Sequence, residues 1–364
     1  SDHIYTIGKD KKPSSFSLNG TWKFNLSKNY DSCFKFFYNT EFNDSNWNDI
    51  QVPGHIQLQG FDNPHYTDVT YPWDGHDVVK PGQIDMDKNK VYQYRKTFDC
   101  PQDFMGNRLI LSFEGAESNI YVWLNGKFIG YSEDSFTPSR FDITKYTQEK
   151  DNVLCVRIFQ KCTGTWLEDQ DMWRFTGIFR DVMIYKQPSQ HIQDLKIDTD
   201  IDLDTNKSVL SCVCKMSSNE SHTLQAKLYD PQGNIVWNGN MQDTFEIPVE
   251  NTCLWSSEFP NLYQLELVLY DTNNEIIETI QEQIGFRKFT LEYGIMKLNG
   301  KRIVFHGINR HEWDPKTGRC LSQEQMEYDI HMLKALNINA VRTSHYPNQS
   351  YWYKLCDQYG IYVI

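Results

Sequence analysis

The stretch SQEQMEYDIHMLKALNINAVRTSHYPNQSYWYKLCDQYGIYVI, residues 322–364, decides the fold at the end of this chain. Ser322 and Gln325 match a capping box, so a helix is predicted to begin at Ser322 within residues 322–337. The apolar face of this helix is formed by Met326, Ile330 and Leu333. A buried strand is predicted at 337–343, a second helix at 348–360, and a third strand at the end.

The segment before these helices, KRIVFHGI at 301–308, is a near-continuous apolar run that predicts the first buried strand. The order β-α-β-α-β implies parallel strands joined by right-handed crossovers. A closed (β/α)₈ barrel needs roughly 250 residues. We therefore expect residues 288–364 to be the incomplete start of a TIM barrel, in a protein that continues past Ile364.

Short alternating strands dominate everything upstream, which predicts a mostly β, multidomain chain. Residues 1–188 are expected to form a jelly-roll β-sandwich. Its clearest local signal is Asn125-Gly126, a pair typical of a two-residue type I′ hairpin turn. Residues 189–287 fit an immunoglobulin-like sandwich that lacks the disulfide.

Composition narrows the classes of function. A net charge of -12 argues against a nucleic-acid surface, and no apolar stretch is long enough for a transmembrane helix. The first residues lack an apolar signal core, so we expect a cytoplasmic location, or a periplasmic or secreted one if a leader was removed. The nine cysteines include no C-x-x-C pair and are predicted to be free core thiols.

Two predicted strand ends carry polar residues. Asn309-Arg310-His311-Glu312 follows the first strand, and the run from Arg342 through His345 to Pro347 follows the second. Because the βα loops of a barrel converge on one face, we expect both loops at one rim. The alternative is that the histidines cap strands while the arginines pair with carboxylates below the rim.

Two loops of the first domain are candidate binding elements. The loop at 165–181 interleaves acids with tryptophans, a mixture that suits a sugar because carboxylates accept hydroxyl hydrogen bonds and aromatic faces cover the ring. Its acids are Glu168, Asp169 and Asp171, and its tryptophans are Trp166 and Trp173. Composition alone favours the alternative, an acidic loop anchored by tryptophans in the core. The loop at 60–75 is either a binding loop or a packed Ω-loop.

Metal and nucleotide motifs are missing from the sequence. It contains no H-E-x-x-H, EF-hand, Cys/His cluster or Gly-rich phosphate loop. His311 and His345 are therefore assigned to an oxygen-rich substrate in preference to a transition metal.

The run from Asn339 to Ile364 resembles the first signature segment of glycoside hydrolase family 2. The positions of this chain that match the segment are Asn339, Arg342, the SHYP run, Asp357 and Gly360. LEDQDMWR, GIFRDV, NGKFIGYS, LWSSEFPNLY, GINRHE and YTDVTYP further resemble the family's bacterial β-galactosidases, so the likeness spans nearly the whole chain. The family's order of jelly roll, immunoglobulin-like domain and barrel agrees with the one predicted above.

The resemblance implies roles for five residues. Asp171 matches an aspartate that holds galactose hydroxyls and helps to coordinate a sodium ion, and His311 and His345 match histidines that contact the sugar near the reacting bond. Arg342 matches an arginine that orients the nucleophile. Asp68 stands where these enzymes usually carry asparagine, and a carboxylate accepts hydrogen bonds but does not donate them.

By the same resemblance the reaction is hydrolysis with retention, in which one glutamate is the acid/base and a second is the nucleophile. Both glutamates are expected after Ile364, together with the magnesium ligands, so the chain contains no catalytic residue and is predicted to be inactive alone. Glu312 does not match either glutamate. The full-length enzyme is expected to be a homo-oligomer.

Other functions stay open at this point. One is a non-catalytic, lectin-like carbohydrate-binding module, although such a module has no reason to contain the barrel signature. Others are a family 2 β-glucuronidase or β-mannosidase, or a purely structural assembly piece.

Overall fold

The structure, a computed structural model, describes residues 15–74 and 79–364. Residues 1–14 of the predicted first domain and Gly75 of the loop at 60–75 lie outside the described residues. The described chain forms three regions in the predicted order, each with its own apolar core. The mostly β, multidomain fold class is confirmed.

Two antiparallel sheets form the first region. Its strands are β1 (Ser15–Ser17), β2 (Gly20–Ser27), β3 (Asn48–Val52), β4 (His65–Thr67), β5 (Val91–Phe98), β6 (Arg108–Phe113), β7 (Ala116–Glu117), β8 (Ile120–Leu124), β9 (Lys127–Ser132), β10 (Ser139–Asp142), β11 (Asn152–Phe159), β12 (Met172–Arg174), β13 (Gly177–Ile178) and β14 (Val182–Gln187). Short 3-10 helices lie at Gln57–Gln59, Gln102–Phe104 and Thr163–Trp166. A six-stranded sheet, β3-β2-β5-β11-β8-β9, and a four-stranded sheet, β1-β14-β6-β10, enclose the core.

Asn125 and Gly126 form the tight turn between β8 and β9. Their φ angles of 50° and 79° both lie in the left-handed region that a type I′ turn requires, and Asn and Gly tolerate it best. The predicted hairpin is therefore confirmed. Two small ladders, β12 with β4 and β13 with β7, stand apart from the main sheets. The ladder of β12 with β4 places the loop at 165–181 beside the loop at 60–75.

The second region is a sandwich of a three-stranded sheet, β15-β16-β19, and a four-stranded sheet, β18-β17-β20-β21. The strands are β15 (Ile192–Asp202), β16 (Lys207–Met216), β17 (Thr223–Tyr229), β18 (Ile235–Met241), β19 (Thr244–Glu250), β20 (Tyr263–Tyr270) and β21 (Ile276–Ile284). Alternating residues of each strand fill the space between the sheets. All nine cysteines of the chain are free thiols and seven are buried, as predicted.

The third region begins with an antiparallel hairpin sheet of β22 (Phe289–Glu292), β23 (Ile295–Leu298) and β24 (Lys301–Arg302). It continues with β25 (Gly307–Arg310), α1 (Gln323–Ala335), β26 (Ala340–Thr343), α2 (Ser350–Tyr359) and β27 (Tyr362–Val363). β25, β26 and β27 are parallel neighbours, so the β-α-β-α-β prediction is confirmed. Gly360 ends α2 with a φ of 71°.

The capping box forms as predicted. The Ser322 side chain accepts a hydrogen bond from the Gln325 backbone N–H at 3.3 Å, and the Gln325 side chain accepts one from the Ser322 N–H at 2.8 Å. Met326, Ile330 and Leu333 are buried against the second helix.

The prediction that KRIVFHGI forms one buried strand is wrong. Lys301–Arg302 pairs back onto β23, the parallel strand begins only at Gly307, and Val304 and Phe305 are 56% and 40% exposed. The Asn299-Gly300 turn, with φ angles of 51° and 77°, closes the hairpin locally. Closing a short loop costs little entropy, so Lys301 and Arg302 pair with β23 and do not join the parallel strand.

Candidate functional site

Two histidines meet at the carboxyl ends of β25 and β26. His311 follows β25 directly and His345 lies two residues after β26. Their ring centroids are 5.5 Å apart and their planes are perpendicular. The parallel pairing of the two strands causes this approach, because it brings both strand ends to one edge of the sheet.

The electrostatics of His311 show which groups surround it. Partial burial of the ring lowers its pKa, and His345 lowers it further. The carboxylate of Asp171 acts in the opposite direction, while Arg319 and Arg342 add to the lowering. His311 is thus a neutral imidazole at neutral pH, able to donate one hydrogen bond and accept another.

Asp171 reaches this rim from the first domain. It directly precedes β12, which pairs with β4 so that Trp173 lies opposite Tyr66. The Tyr66 hydroxyl donates a hydrogen bond to Oδ1 of Asp171, and this bond raises the pKa of Tyr66. Asp68 is exposed and its charge also raises the Tyr66 pKa, so both predicted carboxylates lie around one phenol.

Aromatic side chains form one wall beside these acids. Trp173 is 40% exposed, and its ring centroid lies 5.3 Å from that of Tyr66 and 6.4 Å from that of Trp313. Trp313 comes from the barrel, two residues after His311, and the sequence analysis missed it. The signal was available, because Trp313 directly follows the candidate loop Asn309-Arg310-His311-Glu312.

The other tryptophan of the loop at 165–181 has a packing role. Trp166 packs against Trp73 in a tilted arrangement, with ring centroids 4.2 Å apart, and donates its indole N–H to the Gln83 carbonyl at 3.0 Å. Trp73 is buried, so the end of the loop at 60–75 is packed while its strand β4 borders the site. The packed interpretation therefore holds for Trp166 and Trp73, whereas the binding role of the residues at the rim stays a prediction.

Two acids of the same loop bind internal partners. Glu168 accepts hydrogen bonds from the Ser135 backbone N–H at 2.9 Å and its hydroxyl at 2.6 Å, and burial raises the Glu168 pKa to about 7. Asp169 pairs with Arg174 at 2.7 Å. Of the three acids, Asp171 is the one that is exposed at the rim.

The arginines after the barrel strands divide in the same way. Arg310 is buried, pairs with Asp329 at 2.8 Å and stacks over Trp352. This agrees with the alternative hypothesis, in which the arginines pair with carboxylates below the rim. Arg342 is exposed, with Nη1 3.4 Å from the Ser344 hydroxyl, and acts on His311. Polar strand-end residues of one type thus serve two purposes.

Glu312 is fully buried and already paired. Its Oε2 lies 2.8 Å from Nη2 of Arg180, and its Oε1 accepts the Gln349 backbone N–H at 3.0 Å. The first contact joins the first domain to a barrel loop, and the second joins two barrel loops to each other. A carboxylate with its two oxygens so engaged is not placed to transfer protons to a sugar.

The site offers one carboxylate oxygen of Asp171 beyond the one that Tyr66 binds. Among the residues that the structure describes, no group of three His, Cys, Asp or Glu side chains is arranged to hold a metal ion. Asp171 therefore fits a metal site only as a single oxygen ligand.

No helix in the described parts of the chain is long and apolar enough to cross a membrane.

Comparison with known families matches three consecutive domains. Residues 16–188 match the sugar binding domain of glycosyl hydrolases family 2, and residues 289–364 match its TIM barrel domain. Residues 190–287, between them, match a further domain of glycosyl hydrolases family 2.

Curated relatives cover the whole chain. It is 48% identical to a β-galactosidase of Halalkalibacterium halodurans, covering 100% of this chain and 37% of that protein. It is 42% identical to a β-galactosidase large subunit of Leuconostoc lactis, covering 100% of this chain and 62% of that protein. The chain thus spans between about a third and two thirds of the length of these relatives.

Solved structures share the fold. A β-glucuronidase from an uncultured Clostridium species superimposes with a TM-score of 0.79 at 24% identity, over 100% of this chain and 60% of that one. At this identity the likeness concerns the fold alone.

Proposed function

Because the chain belongs to glycosyl hydrolases family 2, we propose that it contributes the sugar-binding side of a retaining β-galactosidase that hydrolyses terminal β-D-galactosides. One observation carries the proposal. Asp171 of the sandwich acts electrostatically on His311 of the barrel, which in turn faces His345. Polar groups from three loops therefore lie near one another at the rim.

The chemistry of this rim suits a sugar. The carboxylates of Asp171 and Asp68 accept hydrogen bonds from hydroxyl groups, and a neutral His311 both donates and accepts them. Trp173 and Trp313 cover the apolar face of a pyranose. Arg342, exposed at the same rim, orients the nucleophile when that group is present.

Charge favours galactose over a uronic acid. Two carboxylates, Asp68 and Asp171, lie around Tyr66, and a glucuronate would bring a third negative charge to them. Like charges at close range repel, so a neutral sugar binds here at lower cost. The names of the curated relatives agree with this choice.

The reaction needs two glutamates about 5 Å apart, one as acid/base and one as nucleophile. By family resemblance both lie on barrel strands later than β27, and so do the magnesium ligands. The residues of this chain bind and orient the sugar. We further propose that Asp171 supplies one oxygen ligand of a sodium ion, which would add positive charge next to the sugar hydroxyls.

We also propose a cytoplasmic location and a homo-oligomeric enzyme. Nine free thiols, seven of them buried, support a reducing compartment. Sedimentation equilibrium of the whole enzyme tests the oligomer.

The test uses the 364-residue chain and two variants. We expect no turnover of a chromogenic β-galactoside above blank, but measurable calorimetric binding of isopropyl β-D-thiogalactoside. Asp171→Asn should weaken that binding at least tenfold, because an amide replaces a charged acceptor. The control, Asp198→Asn, changes an exposed acid of the second domain and should leave binding unchanged.

Turnover by the 364-residue chain would contradict the assignment of both glutamates to later strands. Equal affinity of wild type and Asp171→Asn would contradict the site. A lectin-like module would bind the thiogalactoside equally well after His311→Ala, whereas the site described here would not.

A further inference from the structure

Two arginines cross the boundary between the first domain and the barrel in opposite directions. Arg180 follows β13 in the sandwich and Arg319 follows β25 in the barrel. Their exposed fractions are 3% and 0%, so each guanidinium is held entirely inside the protein. Buried charges of this kind are costly unless paired, and both are paired across the boundary.

Arg180 joins the two histidine loops. Its Nη2 donates to Oε2 of Glu312 and to the Pro347 carbonyl, both at 2.8 Å, while Nη1 donates to the Phe136 carbonyl at 2.6 Å in the sandwich. Glu312 directly follows His311, and Pro347 lies two residues after His345. One guanidinium thus binds both loops next to their histidines.

Arg319 holds β12, the strand that directly follows Asp171. Its Nη1 donates to the Trp173 carbonyl at 2.9 Å, two residues after Asp171, and its Nη2 forms an ion pair with Glu117. The Arg319 backbone N–H donates to Nε2 of His55 at 3.0 Å. The barrel loop is therefore fastened to the sandwich at three points.

We propose that Arg180 and Arg319 are positioning residues that together set the spacing between Asp171, His311 and His345. The exchange is reciprocal, since each domain inserts one arginine into the loops of the other. The gap between the acid and the two imidazoles then depends on these contacts and not on either domain alone. This inference rests on the proposed function, because the spacing matters for activity only if these three residues bind the sugar. Its test does not require sugar binding.

The test removes Arg180 together with its carboxylate partner. Arg180→Met alone would leave Glu312 buried and unpaired and so risks unfolding. The double variant Arg180→Met/Glu312→Gln removes both charges while keeping a side-chain oxygen for the Gln349 N–H. Neither residue is among the main charges that act on His311, so a large change in the His311 titration would report altered geometry.

The matched control is Arg95→Met/Asp44→Asn. Arg95 is also buried, pairs with Asp44 at 2.7 Å and binds backbone carbonyls, but all its partners lie within the sandwich. Both double variants should lose stability to a similar extent. Only the Arg180 variant should alter the histidine loops.

The measurement is NMR of ¹³C-labelled histidine rings across a pH titration of the full 364-residue chain. In the Arg180 variant we expect the His311 and His345 resonances to move and the His311 pKa to rise toward its ordinary value as the ring becomes hydrated. The control should reproduce the wild-type titration. A folded Arg180 variant with wild-type histidine resonances would show that the arginine only stabilises the fold, and would overturn the proposal.

Thiogalactoside affinity of the same proteins separates this proposal from the proposed function. Shifted histidines with at least tenfold weaker binding support both. Shifted histidines in a chain that binds no thiogalactoside even as wild type support the positioning role and contradict the sugar site.

Discussion

The imidazole of His311 stands perpendicular to that of His345, with 5.5 Å between the ring centroids. Neither ring is near the other in sequence, and each follows a different parallel strand. The approach places two titratable groups so close that protonation of one disfavours protonation of the other. Asp171 opposes this effect from the first domain.

The titration of His311 should therefore respond to both neighbours with opposite signs. His345→Gln removes a neighbouring positive charge and should raise the His311 pKa, whereas Asp171→Asn removes a negative charge and should lower it. Histidine NMR measures both shifts. His222 in the second domain, which pairs with Asp243, is the internal control and should titrate identically in all three proteins. Shifts of the same sign in both variants would contradict the arrangement of charges.

Glu168 should make stability fall as the pH rises. Burial raises its folded-state pKa to about 7, above the value of an unfolded glutamate, so its stabilising contribution is complete below about pH 4 and is lost as the pH rises to about 7. The loss amounts to about 3 kcal/mol, at 1.36 kcal/mol per unit. Glu168→Gln should remove this slope, so that the variant gains stability relative to wild type between pH 4.5 and pH 8.

Urea denaturation at pH 4.5 and pH 8 measures that difference. The control is Glu41→Gln, which replaces an exposed glutamate of the same domain and should keep the wild-type slope. An unchanged slope in the Glu168 variant would mean that the buried carboxyl is ionised throughout.

Gly360 should tolerate no side chain. Its φ of 71° disfavours any Cβ, and a Cβ there would lie 2.4 Å from the Ser257 carbonyl oxygen of the second domain. Gly360→Ala should cost about 1–2 kcal/mol for the backbone and about 1–3 kcal/mol for the clash. Gly233→Ala is the matched control, because its φ is 86° but its Cβ would meet nothing within 4 Å. Urea denaturation should show the larger loss at Gly360, and equal losses would contradict the tight contact.

Local chemistry made much of the fold predictable. The capping box at Ser322, the turn at Asn125-Gly126 and the β-α-β-α-β order depend on neighbouring residues, and each forms as predicted. The prediction for residues 301–308 was wrong because an apolar run does not specify which strand it will pair with. There the nearby turn at Asn299-Gly300 decided the outcome.

The sequence by itself determined the three domain types and the strand ends at which His311 and His345 stand, since periodicity and turn chemistry act over a few residues. Only the tertiary structure decided that Asp171 lies near these histidines and that Glu312 forms a buried ion pair with Arg180. It also decided that Trp166 packs against Trp73, whereas Trp313 lies beside Trp173 at the candidate site. Arg180 and Glu312 are 132 residues apart, and Arg319 and Glu117 are 202 apart. Buried charges must find partners wherever docking places them, and no local pattern in the chain encodes that docking.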